Sequence, residues 1–188
     1  VFMFLAGMRF SLHYAFLKGD LRAYGGSTEN LAYAGMLLIC TVIVSALLAL
    51  RGTFPLESLA DMERIVRASA FQLVSLCTTT GFVSDNYIGW PSLALGILLL
   101  LTLVGGCTGS TAGGLKFMRA VVLVRAAYGE LFRLLHPRSV RSIKLRSGPV
   151  PPEVLSGIVN FFILYVLVTL AGTFALAAQE IDLGTAFT

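Results

Sequence analysis

Three stretches of this chain carry no charged side chain and are each long enough to cross a bilayer: Leu31–Leu50, Pro91–Leu115 and Val154–Gln179. A membrane helix needs about 20 consecutive apolar residues, so each stretch predicts one. The composition agrees. The chain is 56% hydrophobic and 13% charged, with a mean hydropathy of +0.84, against roughly 25% charged residues in soluble domains. No stretch of low hydrophobicity exceeds a loop, so no soluble domain is expected and the fold class is an all-α membrane protein.

A fourth uncharged stretch, Ala68–Ser84, is too short to cross and turns polar at its end, Thr78-Thr79-Thr80-Gly81-Phe82. A helix over its first residues reaches only about 21 Å, against an apolar slab of roughly 30 Å. An apolar span, a half-span ending in Thr-Thr-Gly and a second apolar span form the layout of a cation-selective pore repeat, in which consecutive backbone carbonyls replace an ion's water shell. The acids Glu57, Asp61 and Glu63 precede the half-span, where they face the positive end of a helix dipole. The negative C-terminal end then points into the membrane and favours a cation. Gly81 permits the unusual backbone that keeps neighbouring carbonyls aimed one way, and irregular backbone at that depth survives only against water or protein. A plainer alternative makes the threonines the C-terminal cap of a buried helix.

Charge sets an orientation. Arg125, Arg133, Arg138, Arg141, Lys144 and Arg146 face one acid, Glu130, whereas Glu180 and Asp182 follow the last span. The positive-inside bias places the 125–150 loop in the cytoplasm and sends the last span outward. Parity then puts Lys18 and Arg22 inside and requires residues 60–84 to dip in and return on the outside. Arg51, Arg64 and Arg67 fall outside on this scheme, a conflict that an amphipathic turn at the surface absorbs. Val1–Leu17 lacks the basic region and cleavage site of a signal peptide and reads as the tail of a preceding membrane helix. Cys40, Cys77 and Cys107 lie singly in apolar segments, with the spacing of neither a metal knuckle nor a redox pair, and read as small buried hydrophobes. His13 and His136 read as interfacial or structural.

A second constellation runs Gly105-Gly106-Cys107-Thr108-Gly109-Ser110-Thr111-Ala112-Gly113-Gly114, followed by Lys116. Each glycine costs a helix about 1 kcal/mol relative to alanine, so the helix starting near Pro91 is expected to break here. A nucleotide-binding P-loop fails on spacing, because Leu115 stands where the pattern from Gly109 requires lysine. Tight helix packing through small residues is a second reading. The third is a movable intramembrane loop that lines an ion path, with Lys116 facing a wet cavity or an acid because its charge is costly at that depth. On that reading, alanine at Gly113 and Gly114 favours continuous helix by about 2 kcal/mol.

Together, Phe71-Gln72-Leu73-Val74-Ser75, Thr78-Thr79-Thr80-Gly81-Phe82, Trp90-Pro91, the glycine run with Lys116, and Leu135-His136-Pro137 resemble the membrane subunit of the Trk/Ktr potassium-uptake systems. The resemblance covers essentially the whole chain. It implies a potassium-channel-like fold of four repeats, each a helix, a re-entrant pore helix with a filter loop, and a second helix. Residues 1–17 are then the end of the second repeat and 18–30 a cytoplasmic loop. Residues 31–135 are the third repeat, made of helix 31–50, pore helix and filter 61–82, and broken helix 90–135. Residues 136–151 form a cytoplasmic loop and 152–188 begin the fourth repeat. An internal echo is faint, Ala70-Phe71-Gln72 against Ala186-Phe187-Thr188. One quarter of a filter cannot conduct alone, so the remaining repeats are expected to be needed.

The resemblance also implies potassium as the transported ion, with no covalently bound cofactor. It assigns Thr78, Thr79, Thr80, Gly81 and Phe82 to the filter, with K+ at Thr79 and Thr80. Gly105, Gly106, Gly109, Ser110, Thr111, Gly113, Gly114 and Lys116 fall in a gating loop. The implied setting is the bacterial inner membrane, crossed several times, in a membrane homodimer docked on a cytosolic nucleotide-binding regulatory subunit. Nothing points to nucleic acid, and no histidine–acid–nucleophile set supports an enzyme. A different class, a secondary transporter whose broken helix binds a small anion, would instead need helix N-termini and basic side chains converging on its substrate.

Overall fold

A computed structural model of the chain describes residues 1–20, 23–51, 58–136, 144–145 and 148–179. Expectations resting on Arg22, Glu57, Pro137, Arg138, Arg141, Arg146, Glu180, Asp182 and residues 186–188 lie outside the described residues. The chain divides into two compact units, Val1–Phe117 and Met118–Thr188.

In the first unit, α1 (Phe2–Ala6) and α2 (Phe10–Leu17) are followed by a single turn, α3 (Ala23–Gly26). Val1–Leu17 is therefore not one continuous helix tail. It is interrupted at Gly7–Arg9, where Gly7 O accepts from Cys107 N at 2.8 Å and is no longer available to a helix. Helix α4 (Thr28–Leu50) has 23 residues, or about 34 Å of rise. It begins three residues before the predicted start, which moves Glu29 and Asn30 out of the expected loop and into a buried first turn.

Helix α5 (Leu59–Cys77) starts on a capping box that the sequence reading missed: Ser58 Oγ accepts from Ala60 N at 3.3 Å, and Ser58 N donates to Asp61 Oδ2 at 3.0 Å. Its first half carries Asp61, Glu63, Arg64 and Arg67, with Arg67 pairing with Glu63 one turn back at 3.4 Å. Its second half is uncharged and buries Leu73, Leu76 and Cys77 together with the polar Ser69, Gln72 and Ser75. Helix α6 (Ser92–Val104) follows Pro91 and stops at Gly105, whose φ of 76° is open to glycine and strained for other residues. Its 13 residues rise only about 20 Å.

Helices α4, α5 and α6 enclose the core of this unit. Tyr33, Leu37, Val44 and Leu48 meet Ile65, Leu73 and Leu76 and, from α6, Ala94, Leu98 and Leu101. The opposite side of α4 leaves Leu31, Leu38, Ile39, Val42 and Ile43 exposed, an apolar face suited to lipid or to further membrane helices.

The second unit holds α7 (Phe117–Leu135) beyond its first residue, a two-residue antiparallel pairing of β1 (Lys144–Leu145) with β2 (Gly148–Pro149), and α8 (Pro152–Ala177). Proline at the first helical position and Glu153 in the first turn start α8. The Arg119 guanidinium lies 4.4 Å from the centroid of the Phe161 ring. No residue of α8 is buried. Among the described helices, α4 and α8 are long and apolar enough to cross a membrane, and α6 is apolar but shorter.

Candidate functional site

Helix α5 ends in the bonds of a Schellman cap: Thr80 N donates to Ser75 O at 2.9 Å and Thr79 N to Leu76 O at 3.0 Å. The residue that turns left-handed in this motif is usually glycine. Here it is Thr79, at φ 53°, a strained position for a β-branched side chain. The threonines thus do cap a buried helix, and the backbone beyond them is also unusual, because Gly81 turns left-handed again at φ 75°.

Side chains hold this double turn in place. Thr78 Oγ1 donates to Val74 O at 2.7 Å and lies 2.8 Å from Thr80 Oγ1. Ser75 Oγ donates to Phe82 O at 2.7 Å, closing the segment onto its own helix. Not every carbonyl of residues 78–82 is open to an ion. Those of Thr78 and Phe82 accept hydroxyl hydrogen bonds. The carbonyls of Thr79, Thr80 and Gly81 accept none among the described residues. Thr79, Thr80, Gly81 and Phe82 are exposed, whereas Thr78 is buried.

The glycine run forms a compact loop between α6 and α7. Leu115 N donates to Leu103 O at 2.9 Å and Phe117 N to Gly106 O at 2.8 Å, so the chain returns to where it left the helix. Close backbone approach explains the glycines. A Cβ on Gly105 would run into the Gly113 carbonyl, and one on Gly114, at φ 79°, would sit 2.9 Å from Gly105 Cα. The expectation that Gly113→Ala and Gly114→Ala together favour continuous helix is corrected at Gly114, where alanine meets backbone in a left-handed conformation.

The half-buried Lys116 folds its ammonium back on the loop, donating to Ala112 O at 2.8 Å and Ser110 O at 2.9 Å.

The two candidate segments touch. Gly113 N donates to Thr79 Oγ1 at 2.8 Å, and the same hydroxyl donates to Thr78 O at 2.7 Å. The other limb of the loop is stitched to the interruption between α1 and α2. Cys107 N donates to Gly7 O, Phe10 N to Gly109 O at 3.1 Å, and Thr111 Oγ1 to Ala6 O at 3.2 Å. Gly7 also lets this interruption pack on α4 and the end of α5, since a Cβ there would collide with the Tyr33 hydroxyl and lie 2.8 Å from Thr78 Cγ2.

Glu29 escaped the sequence reading. It is 5% exposed, accepts from Thr108 N at 2.6 Å and lies 3.6 Å from Arg9. The sequence places it in the 18–30 loop, where an acid is ordinarily solvated and gives no warning of burial. Cys77 and Cys107 are buried as expected, whereas Cys40 on α4 is only half-buried, and Cys77 Sγ donates weakly to Gly105 O at 3.4 Å. His13 is structural, bonded to Tyr24 OH at 2.6 Å and Leu5 O at 2.9 Å.

Residues 31–186 match the family described as TrkH, cation transport protein. The chain is 34% identical over 188 residues to the Trk system potassium uptake protein TrkH of Salmonella typhimurium, and 32% identical to that of Escherichia coli K12. Each alignment covers 100% of this chain and 38% of the relative, so the chain spans well under half the length of these proteins. The crystal structure of the potassium transporter TrkH from Vibrio parahaemolyticus matches with a TM-score of 0.87 at 31% identity, over 100% of this chain and 40% of that one.

Proposed function

This chain belongs to the TrkH cation transport protein family, and on that footing we propose that it supplies one quarter of a potassium pathway. Residues 31–135 form the third of four pore repeats, with α5 as the pore helix and α6 and α7 as the broken second helix. Residues 1–17 end the second repeat and 152–188 open the fourth. Residues 78–82 are one strand of the selectivity filter, with K+ held at Thr79 and Thr80. The loop from Gly105 to Lys116 is a gate below it. The whole protein lies in the bacterial inner membrane as a homodimer on a cytosolic nucleotide-binding regulatory subunit, moves potassium and catalyses no covalent chemistry.

One observation carries this reading. A helix too polar at its start to cross the bilayer ends in a doubly left-handed segment, Thr79 and Gly81, where the carbonyls of residues 79–81 follow one another with no hydrogen-bond donor among the described residues. Oxygen atoms so presented suit a desolvated cation, and the strain at Thr79 is of the kind proteins retain at functional sites.

The anion-carrier alternative needs basic side chains free to meet substrate. Lys116, the cation in the loop, is bound instead to two carbonyls of that loop. Rubidium uptake by the full-length protein, in cells lacking other potassium import, tests the proposal. Uptake above that of cells without the protein is expected. Uptake of a labelled organic anion with no rubidium movement would favour the carrier.

A further inference from the structure

Glu29 is an acid inside a membrane protein, buried to 5% exposure, with no part in the pathway described so far. Buried charge in such surroundings is expensive and persists where it has a task. Its carboxylate has two partners. Oε1 accepts the backbone N–H of Thr108 at 2.6 Å, 79 positions along the chain. Oε2 lies 3.6 Å from Arg9, in the interruption between α1 and α2, whose own side chain is 44% exposed. The first is a short charge-assisted hydrogen bond from a backbone group within the glycine loop. The second is a longer pair to a cation that solvent also reaches.

These contacts divide the loop into two limbs. The Thr108 limb is fastened to α4 through Glu29 and to residues 6–10 through backbone bonds. The Gly113 limb has a single tie to residues 78–82, the neutral bond to Thr79 Oγ1. We propose that Glu29 is a positioning residue for the glycine loop, holding the Thr108 limb on α4 by accepting its N–H, with Arg9 as a secondary counter-charge. The loop position so set controls ion flux if the gate reading above is correct. The position itself is measurable without that reading.

The two conservative variants separate the acceptor from the charge. Glu29→Gln keeps an oxygen at the same reach for Thr108 N–H and loses the charge facing Arg9. Glu29→Asp keeps the charge and withdraws the acceptor by one methylene. In the full-length protein, with Cys40, Cys77 and Cys107 replaced by alanine and Thr108→Cys as reporter, labelling by a membrane-impermeant maleimide reads how often the limb is released. Loss of a hydrogen bond to a charged group corresponds to roughly tenfold faster labelling in E29D. E29Q is expected to label faster than the parent but slower than E29D, since its amide oxygen still accepts the N–H without the charge that strengthens the bond. A folded E29D labelled no faster than E29Q overturns the assignment and leaves Glu29 as the counter-ion of Arg9. If E29D does not reach the membrane folded, Glu29→Ala combined with Arg9→Ala removes both charges together and is expected to label as fast. Parent-like labelling of that pair overturns the proposal equally. Rubidium flux per folded molecule is measured in the same variants carrying the native cysteines. Faster labelling with unchanged flux upholds Glu29 as the loop's anchor and counts against the gate.

Discussion

A methyl group added at Gly106 would lie 2.8 Å from both Ala112 Cβ and Ser110 Oγ, and 2.9 Å from Gly7 O. Gly106→Ala is therefore expected to lower the yield of folded protein, since backbone stands on one side and a packed loop on the other. The cost of such overpacking is about 1–3 kcal/mol. A thermal-unfolding comparison in detergent checks this, and a melting temperature equal to the parent's would show that the loop is looser than drawn. Gly113 differs. An added Cβ there meets Thr79 Cγ2 and Oγ1 at 3.3 Å, so Gly113→Ala presses on residues 78–82 and leaves the loop's own closure alone. It is expected to change rubidium flux per folded molecule while leaving folded yield near the parent's. Gly114→Ala is expected to do the reverse. Both roles come from glycines of the same run that differ only in their neighbours, which is why the run announces a break and does not assign its parts. Glu29 was hidden for a related reason. Its partner Thr108 lies in another element altogether, and helix periodicity carries no trace of it.

Among the elements, α5 was the most legible in the sequence. Charged residues over its first half, uncharged ones over its second and Thr-Thr-Gly at its end mark a helix that begins polar and stops at the threonines. Its start is not legible to the residue, because Glu57, Asp61 and Glu63 spread the acidic signal of a helix start over seven positions around Ser58. Ser58→Ala removes one half of a capping box and is expected to destabilise the helix start by about 1 kcal/mol. Faster hydrogen exchange over residues 59–63, with none at 70–77, is the measurement that checks it. The break in residues 90–135 was also anticipated, since five glycines in ten positions are incompatible with a stable helix. The break at Gly7–Arg9 was not anticipated. A lone glycine in an apolar run is tolerated by a helix, and what ends α1 is the amide of Cys107 from a distant loop.

At the scale of the whole molecule, an all-α membrane protein of the TrkH family places two demands on the full-length chain. The first is orientation. The charge asymmetry of residues 125–150 predicts that a cysteine at Ser142 reacts only from the cytoplasmic side, whereas one at Asp85 or Asn86 reacts from outside. External labelling at Ser142 would reverse the scheme. The second, on the proposed four-repeat pathway, is ion selection. Gly81 bears on it most directly. It stands at φ 75° with nothing within 4 Å of an added Cβ, so alanine there disturbs backbone conformation without steric collision, at a cost of roughly 1–2 kcal/mol. Potassium and sodium apparent affinities, measured by competition against rubidium uptake in the full-length parent and in Gly81→Ala, isolate that effect. The geometry at residues 78–82 predicts a reduced preference for potassium over sodium in the variant, at normal expression. Unchanged affinities for both ions would contradict the assignment of these residues to the filter.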